Sequence, residues 1–139
     1  MTHVQVKPEQ LVQATDYLHQ ARMILAQSHI IDNIVFADVR VTRDACAMAC
    51  LAVLKAIDAY MIHRGVQQLP MTIDDYRIAV ESMPIRRRIQ PRLTVVYQNL
   101  HMLGYMSGGV DVEMIKSGFR RAHEILQLID LYFAPIGKS

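Results

Sequence analysis

Residues 45–62 restrict the fold of this chain more than any other segment. Only Lys55 and Asp58 are charged within it, so a helix formed here is apolar on nearly all sides and belongs in the interior of a domain. Small side chains recur along one line of that helix and allow a neighbouring helix to approach closely: Ala45, Ala49, Ala52, Ala56 and Ala59. The sequence therefore predicts a central helix around which the rest of the chain packs.

Three other long segments repeat apolar residues at steps of three and four, which is typical of amphipathic helices. The four predicted long helices span residues 9–31, 38 or 42 to 64, 89–104 and 111–133. A short fifth helix begins at Thr72, with Asp75 completing a capping pair, and ends before Pro84. No segment alternates with period two, so we predict an all-α, up-down helical bundle with mostly antiparallel neighbours.

The length of 139 residues is that of one domain. We expect a single domain over residues 1–139, with 1–8 and 135–139 as loose termini. The connection 32–38 contains Ile34, Val35 and Phe36, and we expect these three side chains to pack onto the bundle.

Charge and targeting signals are weak. The 15 Lys and Arg residues nearly balance 13 Asp and Glu, which leaves a net charge of +2 and no strong field for nucleic acid or an anionic membrane. No secretion-type segment and no apolar run of about 20 residues is evident. We therefore expect a cytoplasmic protein without membrane contact, in which Cys46 and Cys50 are buried thiols.

The densest positive charge lies at Arg86, Arg87, Arg88 and Arg92. Guanidinium groups match phosphate geometry, so these four residues are a candidate anion or nucleic-acid site. No aromatic residue is interleaved with them, and a solvated helix face or ion pairing of the arginines is the alternative. No motif of a sequence-specific DNA reader is present.

Asp58 is unusual because it lies on the most apolar helix. A buried carboxylate needs a donor or a counter-charge, so Asp58 either lines a polar pocket, lies on a wet edge of the helix, or pairs with a structural arginine. The six histidines form no metal-ligand spacing, and we predict neither a metal nor another cofactor. The glycines of 104–109 are interpreted as a turn, with Asp111 as the N-cap of the last helix.

Several segments resemble a known family. Ala14-x3-Leu18-x2-Ala21-x3-Leu25 and Arg43-Asp44-Ala45-Cys46 are similar to the first two helices of HEPN-like bacterial domains (higher eukaryotes and prokaryotes nucleotide-binding). The segments Leu100-His101-Met102-Leu103-Gly104-Tyr105 and Val112-x2-Ile115-Lys116-x-Gly118-Phe119 resemble an uncharacterised bacterial subfamily more closely. The resemblance covers about residues 10–133.

The resemblance implies a bundle that pairs into dimers and, in many relatives, binds nucleotides or RNA. Ribonuclease members carry an Arg, four to six residues, and then a His late in the bundle. The one pair with this spacing, Arg22 and His29, falls in helix one instead of late in the bundle, and Arg92 lies too far from His101. The catalytic pair is therefore not carried over, and we expect no ribonuclease activity.

The leading hypothesis is a non-catalytic, homodimeric binding or interaction module of unknown ligand. One alternative is an RNA- or nucleotide-binding member of a toxin-antitoxin-type pair, and another is a small-molecule pocket protein, suggested by nine Met and by Asp58. The dimer is expected because the central helix and residues 34–36 offer more apolar surface than one bundle interior covers. A connection that folds back over its own bundle would leave a monomer instead.

Overall fold

Helices dominate the computed structural model, which describes residues 7–133. The elements are α1 (Glu9–Leu25), β1 (Ile30–Ile31), β2 (Val35–Phe36), α2 (Val39–His63), α3 (Ile73–Glu81), α4 (Arg86–Val95), a π segment (Val96–Met106) and α5 (Val112–Tyr132). The predicted all-α class is confirmed. The expected loose termini lie outside the described residues except for Lys7 and Pro8, which lead into α1.

The central position predicted for the second helix is confirmed. α2 packs against α1, α3, the π segment and α5, and its alanine line is completely buried. The Asp38 side chain caps the first turn by accepting from the Arg40 and Val41 amides, at 3.0 and 3.1 Å. Gly65 follows the last turn with φ +87°, a conformation suited to glycine.

α2 also has the length and composition of a membrane span. It is the one helix among residues 7–133 that meets both criteria, but 67% of its most apolar window is buried inside the protein. Its hydrophobicity is therefore accounted for by packing within the bundle.

The first helix is shorter than predicted. We expected it to reach Ile31, but α1 ends at Leu25, and Ile30–Ile31 instead pairs antiparallel with Val35–Phe36. Three residues, 32–34, connect the strands, and the first two, Asp32 and Asn33, have positive φ, at 53° and 59°. Successive positive φ values in a hairpin turn match the twist of paired strands, so local turn chemistry ended the helical pattern.

The expected packing of residues 34–36 holds in part. The Phe36 side chain is 3% exposed and belongs to the core, and Val35 is half-buried. Ile34, however, is 61% exposed. Ile34 lies in the turn before β2, outside the strand that carries Val35 and Phe36, so its side chain is not held against the bundle with theirs.

The fourth helix starts earlier and ends later than the predicted span 89–104. α4 begins at Arg86 and contains Pro91, which has no N–H to donate to a preceding carbonyl. From Val96 the helix widens into the π segment, whose last turn closes with a bond from the Ser107 amide to the Met102 carbonyl, at 3.0 Å.

The last helix follows its prediction closely. The Asp111 side chain accepts from the Met114 amide at 2.9 Å and caps α5 as expected. The apolar stripe of α5 is buried in the core from Val112 to Phe133. At its first turns, Gly118 lies directly against the Leu100 side chain of the π segment.

Candidate functional site

The four arginines singled out in the sequence do not form one cluster. Arg86, Arg87 and Arg88 are exposed, and the first two line a shallow groove of about 370 Å³. Arg92 instead donates through Nε to Glu124 at 2.9 Å and through Nη1 to the Arg88 carbonyl at 2.8 Å. Arg92 therefore links α4 to α5, and three arginines remain as an anion-binding candidate.

Glu124 is the common partner of two arginines. Arg121 donates to both of its carboxylate oxygens, at 2.6 and 2.7 Å, and Arg92 approaches from α4. The hydrogen bond from Arg121, assisted by Arg92, lowers the pKa of the Glu124 carboxyl below its usual value, although partial burial opposes the shift. This bridge stays charged at neutral pH and fixes α4 against α5.

Asp58 is buried and already has a partner. Its carboxylate accepts a hydrogen bond from the Tyr76 hydroxyl at 2.5 Å, which joins α2 to α3. Burial raises the pKa of the Asp58 carboxyl above its usual value, while the Tyr76 hydrogen bond and the charge of Lys55 act in the opposite direction. The side chain thus makes a buried contact between α2 and α3, and among residues 7–133 it forms no salt bridge with an arginine.

The two cysteines are buried, unpaired thiols. Burial raises the pKa of Cys46 to about 12 and that of Cys50 to about 12, with Cys46 contributing to the latter. The thiolate is the nucleophilic form of cysteine. Neither residue is therefore suited to attack a substrate at neutral pH.

Two histidines that are far apart in the sequence line the same groove. His19 of α1 and His123 of α5 line the same groove of about 330 Å³, together with Arg22. Sequence spacing within one helix could not reveal this, because the two histidines lie on different helices. Within the described part of the chain, no group of three or more metal-ligating residues is placed to hold an ion.

Exposed apolar side chains gather at one end of the bundle, on a surface we call the end patch: Ile31, Ile34, Val39, Met106 and Met114. Backbone hydrogen bonds hold its elements together. The Phe36 amide donates to the Val110 carbonyl and the Val112 amide to the Ile34 carbonyl, each at 2.8 Å. These bonds place the hairpin beside the glycine turn and the start of α5.

A column of aromatic side chains runs along the π segment. The Arg77 guanidinium lies 4.0 Å from the centre of the Tyr97 ring. Tyr97 stacks on His101 and His101 on Tyr105, with centroid separations of 5.4 and 6.0 Å. The three aromatic rings stack along the π segment, and Tyr105, which precedes Met106 of the end patch, is exposed.

Comparison with known proteins gives a family without an assigned activity. The family whose sequence model matches residues 9–131 is described as Domain of unknown function (DUF5618). No curated protein matches the chain. A solved structure, described as a protein of unknown function from Dyadobacter fermentans, is similar at 26% identity with a TM-score of 0.77, covering 91% of this chain and 98% of that one.

Proposed function

This chain belongs to the DUF5618 family of domains of unknown function, and from that premise we propose a function based on its own surfaces. The protein is a non-catalytic helical binding module that pairs with a second copy of itself. The observation that carries this proposal is the end patch, whose exposed apolar side chains lie on elements fixed to one another by backbone hydrogen bonds.

A homodimer accounts for the end patch on energetic grounds. Contiguous exposed apolar surface of this kind marks interaction sites in soluble proteins, and two-fold symmetric pairs are the commonest oligomers. A stable interface buries about 800 Å² on each partner, which is more than five side chains supply. The interface therefore continues along the π segment over Met102 and Tyr105, which are also exposed.

Binding without catalysis fits the candidate chemical groups. Burial keeps the Cys46 and Cys50 thiols protonated, and the Asp58 carboxylate already accepts a hydrogen bond from the Tyr76 hydroxyl. Two unpaired thiols are also compatible with the reducing cytoplasm, where we place the protein.

A second candidate function is RNA or nucleotide binding within a HEPN-like pair of the toxin-antitoxin type. The alanine-rich central helix supports the HEPN-like assignment, and exposed Arg86, Arg87 and Arg88 support phosphate contacts. We rank it second because Arg86 and Arg87 line only a shallow groove without aromatic side chains.

Replacement of Ile34 by Asp tests the dimer. Ile34 is 61% exposed, and Ile78 on α3 is a matched isoleucine, 66% exposed, outside the end patch. We expect light scattering to give twice the 15.9 kDa chain mass for the wild type and Ile78→Asp, and one chain mass for Ile34→Asp.

Other results would reject parts of this proposal. A wild-type mass of one chain at micromolar concentration contradicts the dimer, and dissociation by Ile78→Asp alone places the interface elsewhere. Tight, salt-sensitive binding of an RNA oligomer that is lost on replacing Arg86 and Arg87 by Gln would favour the second candidate function.

A further inference from the structure

We infer that the groove between α1 and α5 binds a small phosphate monoester with an apolar body. This proposal rests on the binding role proposed above and specifies a class of ligand for it, but it does not require the dimer. The observation behind it is the meeting of His19, Arg22 and His123 over an apolar floor.

The positions of the side chains follow from how α1 packs. α1 lies mainly along α2 and touches α5 only lightly, so a groove of about 330 Å³ opens between α1 and α5. Thr15, His19 and Arg22 are spaced by four and three residues and form one wall. His123 and Gln127, one turn apart on α5, contribute to the opposite wall. Hydrogen-bond donors from two helices thus converge on one space.

The charges in the groove favour an anion. The carboxylate that lines it, Asp130, is engaged by Lys7 at 2.7 Å. No carboxylate among residues 7–133 forms a salt bridge with Arg22. The exposed Arg22 guanidinium is therefore available to a ligand, and its forked donors suit phosphate oxygens.

A second groove extends the site. It encloses about 350 Å³, shares Arg22 with the first groove and adds the ammonium group of Lys116. Arg22 and Lys116 line the same groove, and their two positive charges exceed the single negative charge of a monocarboxylate ligand. A phosphate monoester carries close to two negative charges and three acceptor oxygens at neutral pH, so it matches this site better than a carboxylate does.

The floor of the two grooves is apolar. Leu18 and Leu126 form it in the first groove, and Leu25, with Phe119, in the second. Pockets for small molecules commonly combine such an apolar lining with a few convergent polar groups. The ligand therefore joins its phosphate to an aliphatic or aromatic body that covers these side chains.

Titration with phenyl phosphate, inorganic phosphate and benzyl alcohol, followed by NMR amide shifts and calorimetry, tests the site. We expect phenyl phosphate to bind about tenfold or more tightly than either part alone, since charge-assisted hydrogen bonds and apolar contacts both contribute. Shifts should centre on the amides of residues 15–22 and 119–127.

Two variants locate the binding. Arg22→Gln should weaken phenyl phosphate binding about tenfold, whereas the matched control Arg87→Gln, an exposed arginine on α4, should leave it unchanged. Circular dichroism checks that both variants keep their helical content.

Three results would contradict the proposed site. The first is that phenyl phosphate does not bind, the second that benzyl alcohol binds as tightly as phenyl phosphate, and the third that Arg22→Gln and Arg87→Gln weaken phenyl phosphate binding by the same factor. Light scattering of the same samples tests the dimer independently. A protein that is dimeric but does not bind phenyl phosphate would contradict the proposed groove site and leave the proposed dimer interface standing.

Discussion

At the residue scale, the contact between Asp58 and Tyr76 has the clearest energetic consequence. We predict that Tyr76→Phe lowers the free energy of unfolding by about 1–3 kcal/mol at pH 7, because the buried Asp58 carboxylate loses the hydroxyl that donates to it. Urea unfolding monitored by circular dichroism measures the loss.

The pH dependence of that loss has a definite sign. Burial raises the pKa of the Asp58 carboxyl above 3.8 in the folded state. Asp58 therefore contributes its full stabilisation at pH values below its pKa in the unfolded chain, and this stabilisation is lost as pH rises through its pKa in the folded protein. The Tyr76 hydrogen bond favours the ionised form and offsets this decline. The cost of Tyr76→Phe should therefore be smaller near pH 4 than at pH 7.

Asp58→Asn provides the control for this prediction. Asn is neutral at all these pH values, so in its background the cost of Tyr76→Phe should not vary with pH. A cost that varies equally with pH in both backgrounds would mean that Asp58 is not the titrating partner of Tyr76.

At the element scale, Gly104 sets how closely the π segment approaches α2. A Cβ on Gly104 would overlap Cys46 Sγ and lie 3.0 Å from Cys46 Cβ. We predict that Gly104→Ala costs roughly 1–3 kcal/mol, as overpacking does. Most of that cost should disappear in the Cys46→Ala background, since the overlapping sulfur is gone, as measured by a double-mutant cycle in urea.

Gly118 supplies a matched control for that cycle. A Cβ there would come within 2.5 Å of Leu100 Cδ2, at the contact between the π segment and α5. Cys46→Ala should not relieve Gly118→Ala. Equal relief at both glycines would show a general loosening of the core instead of a specific contact with Cys46.

Helix identity was predictable from the sequence, while helix ends depended on local chemistry. The apolar stripe of α5 and the sparsely charged segment 45–62 of α2 predicted both helices correctly, because burial patterns persist over many turns. The hairpin was missed because Ile30 and Ile31 were read as the end of the first helix, although the positions that continue its apolar spacing, 28, 29 and 32, are Ser, His and Asp. Its available signal was Asp32-Asn33, two residues that tolerate positive φ.

The site was less predictable than the fold. Arg92 looked free in the sequence, but its partner Glu124 lies 32 residues away on α5. His19 and His123 looked unrelated for the same reason, because the groove exists only once α1 and α5 are placed around α2. Tertiary contacts between distant segments, which periodicity does not encode, therefore decide which charged groups remain available.

At the scale of the whole molecule, α2 connects the other helices. It contacts α1, α3, the π segment and α5, so loss of any one of them exposes part of the same core. We therefore expect residues 7–133 to unfold as one cooperative unit. If two such units pair through the end patch, dissociation and unfolding are coupled.

That coupling predicts a melting temperature that depends on protein concentration. For a dimer that unfolds to separate chains, mass action stabilises the folded pair as concentration rises. For a chain of this length we expect the Tm to increase by about 2–3 °C for each tenfold increase in concentration. Thermal unfolding followed by circular dichroism between micromolar and near-millimolar protein measures the effect.

Ile34→Asp should remove this concentration dependence, whereas Ile78→Asp should preserve it, because only Ile34 belongs to the end patch although both side chains are similarly exposed. The slope of Tm against the logarithm of protein concentration distinguishes dissociation of the dimer from local damage to the fold. An Asp that merely strained the hairpin would lower the Tm by the same amount at every concentration, whereas loss of pairing flattens the slope. A wild-type Tm that is constant over the whole range would contradict a dimer coupled to folding.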